Sequence, residues 1–182
     1  MDFVATRLPE VILIKPQVLS DGRGFFLETW QEKRFSAAGI HAQFVQDNHS
    51  HSRRHALRGL HFQIQQPQGK LVRVVTGAVF DVAVDMRRSS ARFGQWIGVE
   101  LNSNNHHMMW VPPGFAHGYL TLSASADLLY KCTDYYAPQF ERSVRRNDPR
   151  LGIYWPLPTS TEPILSSKDA VAPLLANAES YS

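Results

Sequence analysis

The sequence predicts an all-β chain of jelly-roll type with short flanking helices, and three observations carry that expectation. Apolar and polar residues alternate along many short segments. Turn residues separate these segments at intervals of roughly 8–12 residues. Helical periodicity is scarce. At 182 residues the chain has the length of about one domain, and residues 1–182 are read as a single one. A chain of this size hides about 70% of the surface its unfolded form exposes, enough for a self-sufficient core. Hydrophobic residues make up 43% and charged ones 19%, with eleven glycines and eleven prolines. That excludes a disordered, a collagen-like or a low-complexity chain.

Residues 11–14 read as the first strand, and 24–29 as the next, after the turn Ser20-Asp21-Gly22. Residues 31–38 suit two turns of helix, with Phe35 facing inward and Gly39 as the stop. A strand is expected over 56–63. Residues 71–86 then read as two strands broken at Thr76-Gly77. In the second, Phe80, Val82 and Val84 share one face while Asp81, Ala83 and Asp85 take the other. Further strands are expected over 95–101, 107–111, 118–122 and 128–133. The joints at 87–90, 102–105 and Pro112-Pro113-Gly114 carry turn chemistry. Near the end, Ser167 is placed to cap a short helix from Lys168 towards Leu175, although Pro173 works against its far end.

Composition also narrows function. The one cysteine, Cys132, forms no internal disulfide and no cysteine-based zinc site. No stretch approaches the ~18 consecutive apolar residues of a membrane span. The first seven residues lack the basic-then-apolar order of a secretion signal. The expectation is a soluble protein of the cytoplasm. The net charge is +3, but lysines and arginines are scattered rather than run together. That argues against nucleic acid and for a small anionic ligand such as a nucleotide.

Five segments could carry chemistry, and each has a purely structural reading beside it. In Leu57-Arg58-Gly59-Leu60-His61-Phe62-Gln63, strict alternation puts Leu57, Gly59, His61 and Gln63 on one face and Arg58, Leu60 and Phe62 on the other. His61 by itself is as well read as a hydrogen-bonded structural histidine. In Pro113-Gly114-Phe115-Ala116-His117 a rigid corner projects one histidine. This resembles the second half of the metal motif of cupins, a jelly-roll (double-stranded β-helix) superfamily. The first half would need a second histidine two residues after His61 and a glutamate beyond it. Gln63 stands there, and no glutamate lies between His61 and Gly77. A first-row metal takes three or four N, O or S ligands, so metal-independent chemistry without a cofactor is expected. Tyr130 and Tyr136 share strand parity and suit one pocket, or simply an aromatic edge strand. Asp169, after Ser166-Ser167-Lys168, suits a helix N-terminus for electrostatic reasons alone. The fifth segment, 21–28, sets Arg23 between two glycines. Singly, none of these decides a function.

Their order and spacing do. Arg23-Gly24-Phe25-Phe26, Phe44-Val45-Gln46-Asp47-Asn48-His49-Ser50, Leu57-Arg58-Gly59-Leu60-His61-Phe62-Gln63, Gly69-Lys70-Leu71-Val72-Arg73, Phe80-Asp81-Val82-Ala83-Val84-Asp85, Pro113-Gly114-Phe115-Ala116-His117-Gly118, Tyr130-Lys131-Cys132-Thr133-Asp134-Tyr135-Tyr136 and Ser167-Lys168-Asp169 follow one another along the chain. Together they resemble the dTDP-4-dehydrorhamnose 3,5-epimerase family from Val11 to about Leu175. The resemblance implies inversion of C3 and C5 beside the C4 ketone of dTDP-4-dehydro-6-deoxy-D-glucose. It implies His61 as the base, with imidazole suited to that work near neutral pH. Asp169 would orient His61, Lys70 would face the developing C4 oxyanion, and Tyr130 would return a proton from the opposite face. Nearby positive charge would help that phenol ionise transiently. Arg23, Arg58 and Lys168 match cationic contacts to the diphosphate. Glu28, Gln46, Asn48, His117 and Glu141 match polar substrate contacts, and Phe26 and Tyr136 suit stacking on thymine. The family is a homodimer whose N-terminal segment reaches the neighbouring subunit, so Arg23 and Glu28 are expected to serve the partner's site.

Departures from the pattern are confined to Arg54-His55-Ala56, more polar than the usual lead-in, and to the variable loop 64–68. Three other readings remain open at this level. A relative inverting only C3 or only C5 would keep the same base and nucleotide contacts. A metal-dependent cupin would need the missing ligands. A non-catalytic nucleotide-sugar binder would be expected to have lost Lys70 or the His61–Tyr130 pair.

Overall fold

The computed structural model describes residues 1–182. Along the chain run β1 (Asp2–Ala5), β2 (Ile12–Lys15), β3 (Val18–Asp21), β4 (Gly24–Leu27), helix α1 (Glu32–Ala37), β5 (Gln46–Arg53), β6 (Leu57–Gln63) and β7 (Lys70–Thr76). They are followed by β8 (Ala78–Asp85), β9 (Trp96–Asn102), β10 (Met108–Val111), β11 (Phe115–Thr121), β12 (Ser125–Cys132), a 3-10 turn (Pro138–Phe140), β13 (Glu141–Ser143) and helix α2 (Ser167–Ala170). A six-stranded sheet in the order β1-β2-β10-β7-β12-β5 faces a five-stranded sheet in the order β13-β6-β11-β8-β9. The hairpin β3–β4 stands apart as a two-stranded ribbon. Every pairing between these strands is antiparallel. This is the expected jelly roll.

Strand alternation divides the apolar residues into three layers. Val72, Val74, Met109, Val111 and Leu128 of one sheet meet Val79, Ala83, Leu101, Phe115 and Tyr119 of the other. On the outer side of the five-stranded sheet, Leu60, Phe62, Val82, Val84 and Leu120 pack beneath Leu151, Ile153, Trp155 and Leu175 of the C-terminal segment. Ile14, Leu71, Met108 and Trp110 on the outer side of the six-stranded sheet are covered by Phe35 and Ile40. Both faces of the central strands are therefore buried, which is why β10 reads as a continuous apolar run and every residue of β11 is buried. The alternation expected in β8 is present, but its apolar face looks outward under the C-terminal segment. Asp81 and Asp85 turn into the protein, and both are fully buried.

Helix α1 ends as expected, with Phe35 buried and Gly39 at φ +83. The second helix differs. Its N-cap is Ser166, whose Oγ accepts from the Asp169 N–H, and it ends at Ala170 rather than running towards Leu175. A serine one residue earlier wins because its hydroxyl reaches the third residue of the helix. The reversal in the β3–β4 hairpin is at Gly22-Arg23, since Asp21 already pairs with Gly24.

One departure matters for the site. His117 pairs with His61, yet Tyr119 pairs with Arg58, so β6 contains one extra residue at Gly59-Leu60. This bulge resets the alternation. Arg58 and His61, expected on opposite faces, point into the same cavity, while Leu57, Leu60 and Phe62 share the outer core. Gly59 has φ +111, and a Cβ there would sit 2.6 Å from Gly118 Cα and 2.7 Å from the His117 carbonyl oxygen. Only glycine lets β6 and β11 come this close. Gly59→Ala is expected to destabilise the fold by about 2 kcal/mol or more, read as a lower urea midpoint.

Candidate active site

A cavity of about 430 Å³ has walls from both sheets and a rim formed by residues 164–166 and Asp169. It shares His61, Lys70 and Tyr130 with an adjoining lobe of about 330 Å³. The five-stranded sheet contributes Arg58, His61 and His117, and the six-stranded sheet contributes Ser50, Lys70 and Tyr130. His61 therefore looks across the cavity at Lys70 and Tyr130 from the opposing wall.

The two histidines are direct cross-strand partners, and each has its Nε2 on a carboxylate. His61 Nε2 lies 2.5 Å from Asp169 Oδ1, and His117 Nε2 lies 2.8 Å from Asp81 Oδ1. No group of three or more His, Cys, Asp or Glu side chains is arranged to hold a metal ion. Asp169 is 3% exposed. Burial pushes its carboxyl up, but the bond and charge of His61, the Ser166 hydroxyl and the Gly59 N–H together hold it below the usual carboxylate range. An ionised carboxylate only accepts. His61 Nε2 thus carries the proton and Nδ1 keeps the free lone pair.

That depressed carboxyl predicts a pH signature. A group with a lowered folded-state pKa adds stability above its unfolded value, near 3.9 for Asp, and loses it as pH falls through the folded value. The stability difference between wild type and Asp169→Asn should be largest at neutral pH and shrink in acid. Urea unfolding at about pH 7 and about pH 3 would measure it.

Lys70 opens β7, directly across from Cys132 on β12. Its ammonium meets charge but no hydrogen-bond partner. Burial pushes it down from the usual lysine value, against the opposing influence of Cys132, Glu141 and Asp81. Tyr130 shows the reverse. Burial raises its phenol, Cys132 and Tyr119 add to the rise, and Arg58 opposes it. The sequence suggested that positive charge would ease ionisation of Tyr130, but in the free protein burial prevails and the phenol keeps its proton.

The adjoining lobe gathers Gln46, Asn48, Tyr136 and Glu141. Gln46 Nε2 donates to Asn48 Oδ1 at 3.0 Å, and Gln46 Oε1 accepts from the Tyr136 N–H at 2.8 Å. The Tyr136 hydroxyl donates to Glu141 Oε2 at 2.8 Å, and Lys168 forms an ion pair with the same carboxylate. Tyr136 is 54% exposed, open to stacking on a planar ligand. Lys168 lines neither lobe and joins the site only through Glu141.

Besides Lys168, three expected site residues lie away from the cavity of their own chain. Arg23 pairs with Asp21 at 2.6 Å on the exposed hairpin, and Glu28 pairs with Arg34 at 3.3 Å. Phe26 is 68% exposed. Other cavity residues went unremarked in the sequence. The Tyr119 hydroxyl bonds Ser50 Oγ at 2.9 Å and Ser52 Oγ at 3.1 Å, and Arg58 Nε donates to Ser52 Oγ at 2.9 Å. Tyr119 lies two residues beyond His117 on one strand face, a signal that alternation supplies. Ser50 closes the motif 44–50 but carries no role there, and Ser52 lies beyond it, because β5 is polar on both faces and its pattern predicts no strand.

Fold and cavity together define a cupin-like jelly-roll protein with acid and base groups on facing walls. Residues 5–177 match the family model described as dTDP-4-dehydrorhamnose 3,5-epimerase. A dTDP-4-dehydrorhamnose 3,5-epimerase of Pseudomonas aeruginosa is 53% identical over 180 residues, covering 97% of this chain and 98% of the relative. The Neisseria gonorrhoeae protein of the same description is 52% identical over 98% of this chain, which spans about half (54%) of that relative's length. Among solved structures, a dTDP-6-deoxy-D-glucose-3,5-epimerase of Legionella pneumophila, in complex with dTDP-4-keto-L-rhamnose, superimposes with a TM-score of 0.93. It is 51% identical, over 97% of this chain and 93% of that one. The chain belongs to the dTDP-4-dehydrorhamnose 3,5-epimerase family.

Proposed function

We propose that this chain carries out the 3,5-epimerisation of its family, converting dTDP-4-dehydro-6-deoxy-D-glucose to dTDP-4-dehydro-L-rhamnose in dTDP-L-rhamnose synthesis. The observation that carries the mechanism is the placing of the His61–Asp169 pair on one wall and Tyr130 on the other. A carbon beside a ketone loses its proton only if charge on the ketone oxygen is stabilised as it develops. His61 Nδ1 takes the proton from C5 or C3, and the electron pair moves into the C4 carbonyl to form an enolate. The Lys70 ammonium faces that oxygen. Asp169 holds the tautomer and stabilises the imidazolium, as an aspartate does in a Ser-His-Asp triad. Tyr130 then protonates the same carbon from the opposite face, which inverts it and re-forms the ketone. Exchange of His61 and Tyr130 with solvent restores both groups for the second carbon.

The adjoining lobe suits the nucleotide. Tyr136 stacks on thymine beside Gln46, Asn48 and Glu141, while Arg58 and Lys168 face the diphosphate, and His117 contacts the sugar. In this reading the chain is one domain that works as a homodimer in the cytoplasm. The detached hairpin supports the dimer: Leu19, Phe25 and Phe26 are 56%, 61% and 68% exposed, an apolar ribbon bearing site residues away from its own cavity. Arg23, Phe26 and Glu28 would then complete the partner's site. No helix is long and apolar enough to cross a membrane.

Incubation with dTDP-4-dehydro-6-deoxyglucose in heavy water tests the activity, with deuterium located by proton NMR. Label at both C3 and C5 supports the double epimerase. Label at one carbon identifies a single-site relative. Absence of label from a folded protein overturns the catalytic reading.

A further inference from the structure

Asp81 is a carboxylate for which neither the fold nor the proposed mechanism has a use. It sits on the inward face of β8 with no solvent exposure. Its neighbour on the same face, Asp85, is fully satisfied: the Arg87 guanidinium binds both of its oxygens, and Ser90 donates to one of them. Asp81 has a single bond, from Oδ1 to His117, and its buried Oδ2 has no partner. A buried polar atom left without a partner is destabilising by about 1–3 kcal/mol, more for a charged group. In a native core such an atom calls for an explanation.

The same region holds one other incompletely matched charge, the Lys70 ammonium. His117, the hydrogen-bond partner of Asp81, lines the same cavity as Lys70, with His61 and Tyr130 beside it, and the acids whose charge acts on the ammonium are Cys132 of β12, Glu141 of β13 and Asp81 of β8. Tyr130 keeps its proton, and of the other three acids two are unsuited to balance the ammonium. Burial pushes the Cys132 thiol up, so it stays neutral at working pH. Glu141 is already engaged by Lys168 and Tyr136. Asp81 remains.

We propose that Asp81 is a positioning residue of the epimerase site, its carboxylate keeping Lys70 protonated and holding His117 in one orientation. The proposal rests on the reading of Lys70 as the enolate-facing group. Asp81 supplies the negative charge that retains an ammonium in a desolvated cavity, and its unpaired oxygen leaves that charge unspent on any closer cation. Through Oδ1 it also fixes Nε2 of His117 as donor, which leaves Nδ1 of that ring as an acceptor.

Asp81→Asn keeps shape and removes charge, so it tests this directly. Loss of an opposing charge lowers the pKa of Lys70, and the alkaline limb of kcat should move to lower pH by about one unit. At a fixed alkaline pH on that limb kcat should fall about tenfold, with KM changed less than twofold. A ¹³C-lysine spectrum, with the Lys70 signal assigned by its loss in Lys70→Met, gives the second readout. Its ε-carbon should keep an ammonium shift across the active pH range in wild type and lose it within that range in Asp81→Asn. An unshifted limb with an unshifted lysine signal overturns the proposal. If Asp81→Asn does not fold, a wild-type Lys70 signal that is already a free amine where the enzyme is active overturns it equally, and a retained ammonium supports it. Full turnover by Lys70→Met would instead bring down the underlying mechanism, which keeps the two failures distinct.

Discussion

Replacing His61 with Asn should abolish both proton exchange and epimerisation, each by roughly 10³-fold or more, near the upper end of what general-base catalysis contributes. Asn is the informative choice because Asp169 is almost wholly buried and takes its shortest hydrogen bond from His61. Alanine would leave that carboxylate without its partner and confound lost catalysis with lost stability. An amide donates to Asp169 but has no basic nitrogen to abstract a proton. Deuterium uptake at C3 and C5 should therefore fall together with product formation, while the melting temperature stays close to that of wild type. Full exchange by a folded Asn variant would assign the base elsewhere.

The β-sandwich was legible in the sequence wherever a strand has chemically distinct faces or an uninterrupted apolar run. β7, β8 and β9 were expected within one residue of where they lie. β5 escaped because Gln46-Asp47-Asn48-His49-Ser50-His51-Ser52-Arg53 has no apolar periodicity at all. Its inward side chains serve the cavity rather than the core, and its place is set by pairing with β12 along its whole length. Short strands such as β1 and β13 leave too little pattern to read, and they exist because a neighbouring edge supplies hydrogen-bond partners.

The site followed a similar division. His61, Lys70, Tyr130, Arg58, His117 and Asp169 converge on one cavity as the family resemblance implied. Alternation alone would have separated Arg58 from His61, because a bulge depends on the close approach of Gly59 to Gly118 and leaves no trace in periodicity. The Asp81–His117 pair was equally hidden. Its two members lie on adjacent strands, and only the β8–β11 register brings them together.

Tyr130→Phe should separate the two halves of the reaction. In the proposed mechanism the phenol is the acid of the opposite wall, while proton removal by His61 depends on Lys70 and Asp169, which the substitution does not touch. Phe fills nearly the same volume. The shift of the phenol arises from burial and neighbouring charges rather than from a hydrogen bond, so loss of the hydroxyl leaves no partner orphaned. The stability change should stay below about 1 kcal/mol. His61 can still take a proton, exchange it with solvent and return deuterium to the same face. Substrate should accordingly acquire deuterium at a rate within about tenfold of wild type, while inverted product falls by about 10²-fold or more. Burial strengthens this expectation: a phenol held well above neutral pH is protonated before each turnover, so it acts only as a donor. The diagnostic result is labelled substrate of unchanged configuration, read by NMR from coupling constants at C3 and C5. Parallel loss of exchange and inversion would place Tyr130 in proton removal instead, and unimpaired inversion would require another acid on that wall.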